Sequence, residues 1–303
     1  MQTKTSISGK GKTVFIINPV SGTGKAARIE HLIQNYPGYR DSKPEIIQTH
    51  YKGHATKIAK KLIKKGVKRI VAVGGDGTVN EIAAELAGKE AVLGIIPSGS
   101  GNGLARHLGI PGKSEKALDV LNSGKIIRID AGRVNDRLFF CTCGTGFDAR
   151  VGKIFDKLGG RGLINYIRTI IRELIQYRPK KYKIRIDGKK YKQRAFLVTI
   201  ANAGQYGGNA YIAPGAKIDD GLFDICIFRP FPRFKSVFLG LRLFNRTIDT
   251  SKYLDIYRGS EIIIERNKNI RMHMDGEPVK MKHKVRITIL PKSLKVIVPD
   301  EIL

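Results

Sequence analysis

Three short apolar runs in this chain each end in a glycine-rich turn. TVFIIN (13–18) leads into PVSGTG, RIVAVGG (69–75) into DGTVNE, and AVLGIIP (91–97) into SGSGNG. Stretches with helical spacing separate them, at 24–35, 55–65 and 78–87, and another follows at 114–121. EIIQTH (45–50) reads as a further strand. Apolar strands alternating with helices predict a parallel sheet covered on both faces over roughly the first 130 residues.

The texture changes after about residue 125. KIIRIDAGRVN and RLFFCTCG are predicted to pair as a hairpin around Asn135-Asp136. YKIRIDGKKYKQRAFLVTIA (182–201) carries Asp187-Gly188, the strongest short hairpin signal. GLFDICIF, EIIIER, VRITIL and LKVIVP are further alternating strands, so this half is mainly antiparallel β, with helical stretches near 161–177 and 232–246. A length of 303 residues accommodates two domains.

The net charge of +29 favours an anionic partner: nucleic acid, an acidic membrane face or a phosphorylated ligand. Cys141, Cys143 and Cys226 are too few, and odd in number, for a disulfide framework. Cys141-x-Cys143 lacks the second ligand pair of a zinc site. Packed free thiols in a reducing cytosol fit better. MQTKTSISGKGK has no apolar core of a signal peptide, and no run reaches the roughly 18–20 apolar residues of a membrane span.

VGGDGTVNE (73–81) sits at the carboxyl end of a predicted parallel strand, where open α/β sheets bind ligands. Its glycines admit a phosphate to the backbone, and the helix that follows offers unpaired N–H groups. An Asp there suits a bound Mg²⁺ or an attacking hydroxyl. The same residues also suit a plain tight βα turn. INPVSGTGKA (17–26) is not a Walker A loop, having Pro19 and Ala26 where that motif needs Gly and Ser or Thr. IPSGSGNGLAR (96–106) is not the dinucleotide fingerprint. Three glycine loops at one end of one sheet predict a shared phosphate cradle.

NPVSGTGKA, GGDGTVNE and PSGSGNGLAR, in that order and spacing, resemble the diacylglycerol kinase and sphingosine kinase catalytic family, above all its bacterial soluble lipid kinases. DAGRVN (130–135), GTGFDARV (144–151), NAGQYGGNAYIAPGAKIDDGLFDI (202–225) and HMDGEPV (273–279) extend the resemblance over nearly the whole chain. It implies an NAD-kinase-like α/β nucleotide-binding domain at 11–128 plus 292–303. A β-sandwich lipid-substrate domain follows at 129–291, with the C-terminal segment returning to the first domain. The implied activity is transfer of the γ-phosphoryl of ATP, with Mg²⁺, to a lipid hydroxyl in the cleft between the domains. That places the chain in lipid metabolism and phospholipid biosynthesis.

Carried over by motif, the resemblance assigns ATP contacts to Asn18, Pro19, Ser21, Gly22, Thr49, Gly74, Gly75, Gly77, Thr78, Glu81, Ser100, Gly101 and Asn102. Asp76 and Glu277 share the candidacy for general base. Asn in place of Asp76 is then expected to abolish turnover while ATP still binds. Asp220, with main-chain carbonyls near Lys217 and Leu222, matches a structural Mg²⁺ site, Asp219 being the alternative carboxylate. Asp130 matches a residue that organises the site. The chain departs from the bacterial diacylglycerol kinase pattern at Asn102-Gly103, where Asn-Asp is usual. This is closer to the sphingosine kinase style and leaves a diacylglycerol-like or a sphingoid-like acceptor open.

Lys and Arg crowd 153–194, from Lys153 to Arg194. They suit either solvated faces or docking on an anionic membrane from the cytoplasmic side. RGLINYIRTIIRELIQY (161–177) is basic and apolar enough for an interface. No nucleic-acid motif accompanies the charge. A second copy, as a homodimer, is a further candidate partner. The competing functional readings are an NAD-kinase-like phosphotransferase, which shares GGDGT, and a catalytically weak lipid- or nucleotide-binding protein.

Overall fold

The computed structural model describes residues 12–22, 26–40, 44–151 and 172–301. The chain divides into two compact units. One runs through Asp130 and takes the chain back from Lys292; the other is Ala131–Pro291.

The first unit contains β1 (Thr13–Ile17), α1 (Ala26–Asn35), α2 (Pro37–Arg40), β2 (Glu45–Gln48), α3 (His54–Lys64), β3 (Arg69–Gly74), α4 (Asp76–Leu86), β4 (Val92–Pro97), α5 (Gly103–His107) and α6 (Ser114–Ser123). The strands lie in the order β2-β1-β3-β4, all parallel. From Val14 to Ile17, Ile70 to Gly74 and Leu93 to Pro97 every residue is buried, because helices cover both faces. Lys295 and Val296 add one more parallel pairing beside Val92 and Leu93, which brings the C-terminal segment into this sheet. The chain leaves β1 for β2 on one side, and β3 lies on the other. The β1/β3 junction is therefore the topological switch point, where the carboxyl ends of the strands open a crevice.

The second unit holds β5 (Lys125–Val134, which enters from the first unit), β6 (Arg137–Phe139), β7 (Thr142–Gly146), β8 (Lys180–Ile186), β9 (Lys189–Ala195), β10 (Leu197–Ala201) and β11 (Phe223–Phe228). After these come α7 (Ser236–Phe244), β12 (Leu254–Gly259), β13 (Glu261–Glu265), β14 (Ile270–Met274), β15 (Glu277–Met281) and β16 (Lys284–Val298, which leaves for the first unit). One sheet runs β12-β11-β10-β7-β14-β15 with antiparallel pairings. The other is built on β13, paired with β8 and with the Lys284–Thr288 part of β16, and β9 continues from β8. Phe139, Cys143, Ile184, Val198, Phe223, Ile262, Met272 and Val285 fill the space between them. Tyr182, Ile184 and Ile186 point into it while Lys181, Lys183 and Arg185 face out, the alternation of a sheet with one dry face. Asp187 and Gly188 both have positive φ, 43° and 85°, as a two-residue hairpin turn requires.

The predicted partner strand RLFFCTCG is divided. Arg137–Phe139 stays paired with β5, whereas Thr142–Gly146 crosses to the other sheet. The break falls at Phe140-Cys141, whose N–H groups are taken by a side chain instead of a neighbouring strand. Of the predicted helix at 161–177, residues 172–176 are helical and 161–171 lie outside the described residues, as does the 153–171 part of the basic segment. All three cysteines are buried thiols outside any disulfide.

Candidate active site

The three glycine loops meet at the carboxyl edge of the parallel sheet. Asn18, just after β1, donates from Nδ2 to Thr78 Oγ1 at 3.1 Å, and its main-chain N–H reaches Val73 O at 2.9 Å. Ser21 Oγ lies 2.7 Å from Ser98 Oγ, joining the first loop to the third. Gly22 has φ +72°, and a Cβ there would stand 2.5 Å from the Ser98 carbonyl oxygen. A Cβ on Gly99 would stand 2.6 Å from the Gly75 Cα, and one on Gly75 3.2 Å from the Gly99 Cα, so here two backbones touch: Gly99 has no room for a side chain and Gly75 little. Gly75 is the N-cap of α4 and has no side chain to give to the first N–H groups of that helix. Glycine loops, the N-terminus of an eleven-residue helix and the switch point thus coincide.

Asp76 opens α4 and reaches across to the third loop. Its Oδ2 accepts the Asn102 N–H at 2.8 Å and its Oδ1 the Gly103 N–H at 2.6 Å. Gly101 lies against it, since a Cβ there would be 2.6 Å from Oδ2. Burial pushes the Asp76 carboxyl up from its ordinary range, against the pull of the two N–H donors and of Arg106. Asn102 takes the left-handed conformation and folds its amide back on Gly99, accepting from its N–H at 3.0 Å and donating to its carbonyl at 2.7 Å. Gly103 therefore has a defined place: its N–H belongs to Asp76 at the start of α5.

Burial alone lowers the His107 imidazole, at the end of α5, to about 4. The unfolded chain, with an ordinary histidine near 6.5, then binds a proton at higher pH than the folded one. Stability is full above about pH 6.5 and falls as pH drops toward about 4. The expected loss is about 2 kcal/mol after allowance for partial exposure. Thermal melts of wild type and His107→Gln across this window check it: the wild type should lose more, and parallel curves refute it.

Other sequence-predicted residues have different surroundings. Thr49 is buried, with its N–H on the Ile17 carbonyl at 2.8 Å. Pro19 lies in the first loop; Gly77 and Ser100 are exposed. Glu81 is turned away to α3, where it accepts the N–H groups of Gly53 (2.8 Å) and Thr56 (3.3 Å) and caps a helix whose N-cap glycine has no side chain. Asp130 is fully buried and accepts the Lys292 N–H at 2.6 Å, anchoring the returning C-terminal segment.

In the second unit, Glu277 is exposed at the start of β15, after the Asp275-Gly276 turn. Asp275 was not a candidate from sequence, yet its carboxylate takes three N–H groups: Phe140 at 2.7 Å, Cys141 at 2.8 Å and Thr142 at 2.9 Å. These are the groups freed where RLFFCTCG breaks. Nearby motifs also join. Asp148 Oδ2 lies 3.2 Å from His273 Nε2 and accepts Thr199 Oγ1 at 2.7 Å, and Tyr206 OH meets Thr199 at 2.7 Å.

Asp220 accepts the Leu222 N–H at 3.1 Å through Oδ1, and its Oδ2 pairs with the Arg258 guanidinium. Arg258 Nε also lies 3.5 Å from Asp224 Oδ1. Asp219 and Lys217 are exposed. A cation held by Asp220 and the carbonyls of Lys217 and Leu222 would have to displace the half-exposed Arg258 guanidinium from Asp220. Among the described residues no group of three or more His, Cys, Asp or Glu could hold a metal ion.

Comparison with known proteins places this arrangement. Residues 12–134 match the family model of the diacylglycerol kinase catalytic domain, and residues 141–298 match that of the YegS C-terminal NAD kinase beta sandwich-like domain. The chain belongs to the diacylglycerol kinase catalytic family. It is similar to a protein of Enterobacter sp. (strain 638) named "Probable lipid kinase YegS-like", 31% identical over 294 residues that cover 92% of this chain and 94% of the relative. A diacylglycerol kinase of Mycobacterium tuberculosis is 31% identical over 277 residues, 88% of this chain and 86% of its own. A crystal structure of a diacylglycerol kinase from Bacillus anthracis str. Sterne shares the fold, with a TM-score of 0.75 at 24% identity, over 97% of this chain and 98% of that one. The family members and this chain thus share an α/β domain followed by a β-sandwich.

Proposed function

We propose that this protein transfers the γ-phosphoryl group of MgATP to the hydroxyl of a lipid, diacylglycerol-like or sphingoid-like. The observation that carries this reading is the meeting of the three glycine loops at the N-terminus of α4. Backbone N–H groups there suit the phosphates, and close Gly75–Gly99 contact leaves the surface free of side chains. Phosphoryl transfer asks mainly for positioning and charge neutralisation, and the metal that travels with ATP supplies the second. Asn18, Ser21 and Thr78 are the polar side chains on hand for the nucleotide. Both Asp76 oxygens already serve Asn102 and Gly103, so Asp76 acts as the positioning residue of the third loop. Exposed Glu277 is the better candidate to take the hydroxyl proton as its oxygen attacks the γ-phosphorus and ADP leaves. The protein works at the cytoplasmic face of an anionic membrane, as a peripheral enzyme; among the described residues no helix is long and apolar enough to cross one.

Labelled-phosphate transfer from MgATP tests this, with diacylglycerol, monoacylglycerol, sphingosine, ceramide and phosphatidylglycerol in mixed micelles and NAD as a soluble acceptor. Label on one class of lipid is the expected result. Label on NAD alone would move the protein to the NAD-kinase-like reading, which the sandwich domain's NAD kinase-like description keeps in view. ATP binding with no labelled acceptor would leave a binding protein.

A further inference from the structure

We propose that α7 and the turn before it form the surface by which this protein docks on an anionic phospholipid membrane. The segment reads RFKSVFLGLRLF (233–244). Its inner side is spent on the fold: Leu239 is buried and Leu243 packs beside it on a cluster with Phe228, Ile248 and Leu254. The outer side is also apolar. Phe234 is 81% exposed, Val237 73%, Phe238 60%, Leu241 57% and Phe244 57%. These five make up half of the large apolar side chains exposed among the described residues. They recur at spacings of three and four, so they form one stripe. Single exposed apolar residues are ordinary, but a continuous stripe on a helix marks something that covers it.

The rim identifies the cover. Between residues 233 and 253 the basic side chains are Arg233, Lys235, Arg242, Arg246 and Lys252, and the acidic one is Asp249; Arg229, just before them, is paired with Asp255 at 3.1 Å. Basic groups stand beside the apolar ones. The Lys235 ammonium lies 5.9 Å from the Phe234 ring centre and 5.5 Å from that of Tyr253, and the Arg242 guanidinium 5.5 Å from that of Phe238. A groove of about 500 Å³ runs between Phe234 and Phe238 on one side and Ser251 and Tyr253 on the other. Apolar side chains ringed by cations match a surface with acyl chains under anionic headgroups. A second copy of this chain would bring the same basic rim against itself. The outward-facing basic residues of β8 and β9 then attract the membrane at a distance, while the α7 stripe inserts. The proposal takes its purpose from the lipid-kinase reading, but its evidence is separate.

Co-sedimentation of the full chain with vesicles tests it. Vesicles of phosphatidylcholine with phosphatidylglycerol should bind the protein roughly tenfold or more tightly than phosphatidylcholine alone, and high salt should weaken the binding. Phe238→Gln with Leu241→Gln removes two exposed side chains and keeps good helix formers. It should lower partitioning roughly ten- to a hundredfold, with an unchanged melting temperature and unchanged phosphorylation of lipid in detergent micelles. Vesicle binding equal to wild type in the double variant overturns the proposal. So does a wild type that ignores both vesicles, or a wild-type dimer that the double variant splits without any change in vesicle binding. Strong, stripe-dependent binding together with no phosphorylated lipid supports the docking surface and sinks the kinase reading instead.

Discussion

Replacing Asp76 by Asn is expected to lower kcat/KM about a hundred- to a thousandfold, from one lost charge-assisted hydrogen bond and one donor set against a donor. The carboxylate accepts from two consecutive main-chain N–H groups, Asn102 and Gly103. An amide keeps one acceptor and turns an NH₂ toward the other donor. The third loop must then shift, and it is held on two further sides, by Gly99 against Gly75 and by Ser98 against Ser21. The loss should divide between turnover and nucleotide affinity. ATP still binds, roughly tenfold more weakly, because the first loop is untouched and the backbone of α4 keeps its N–H groups. Steady-state kinetics with a calorimetric ATP titration check this. Unchanged turnover sinks any role for Asp76, and lost turnover with wild-type affinity would make it the base and not the loop anchor.

The same substitution has a stability signature of opposite sense. Burial raises the Asp76 carboxyl above its ordinary range. The folded state thus holds its proton more readily than the unfolded one, and the stability present below the ordinary carboxylate range is lost as pH rises through the raised value. Asp76→Asn should therefore gain on wild type in denaturation experiments as pH rises from acid to neutral. A charge kept in place at a stability cost, at the junction of the three loops, is what a functional requirement looks like.

Much of this was legible in the sequence because the physics is local. Parallel strands buried on both faces are continuous apolar runs, so β1, β3 and β4 stand out, and Asp187-Gly188 marks its hairpin by the positive φ that its two residues tolerate. What was not legible depends on partners far along the chain. Nothing near Asp76 says that its oxygens belong to residues 26 and 27 positions later. Glu81 ends the GGDGTVNE segment, and nothing near it says that its carboxylate caps α3, where Gly53 has no side chain. DDG at 219–221 has the composition of a cation loop, and only the fold brings Arg258 to it. The stripe on α7 was visible as a helix but not as a surface, since apolar residues all round look like core until one side is seen bare.

The division of RLFFCTCG leads to the largest expected effect on stability. Where the chain passes from one sheet of the sandwich to the other, at Phe140–Thr142, three consecutive N–H groups would be left without strand partners. Asp275, at the tip of the β14–β15 hairpin, satisfies all three. Its own N–H donates to the Thr142 carbonyl at 2.8 Å, so the contact is reciprocal. Asp275 has φ 47°, which Asn tolerates as well as Asp and Ala tolerates less. Asp275→Ala should then cost about 3–5 kcal/mol, since it strands buried donors and strains a turn. Asp275→Asn keeps the turn and one acceptor and should cost about 1–2 kcal/mol. Against a domain stability of about 5–15 kcal/mol the Ala variant would be marginal. Urea denaturation followed by a probe in the second unit measures both. A loss below about 1 kcal/mol in the Ala variant would mean that water or other groups satisfy those N–H donors and that the sheet crossing does not depend on Asp275. The two variants also differ in their effect on Glu277, which leaves the turn two residues later. Ala should lower activity through a displaced β15 as well as through lost folded protein, while Asn should leave the activity of the folded fraction close to wild type.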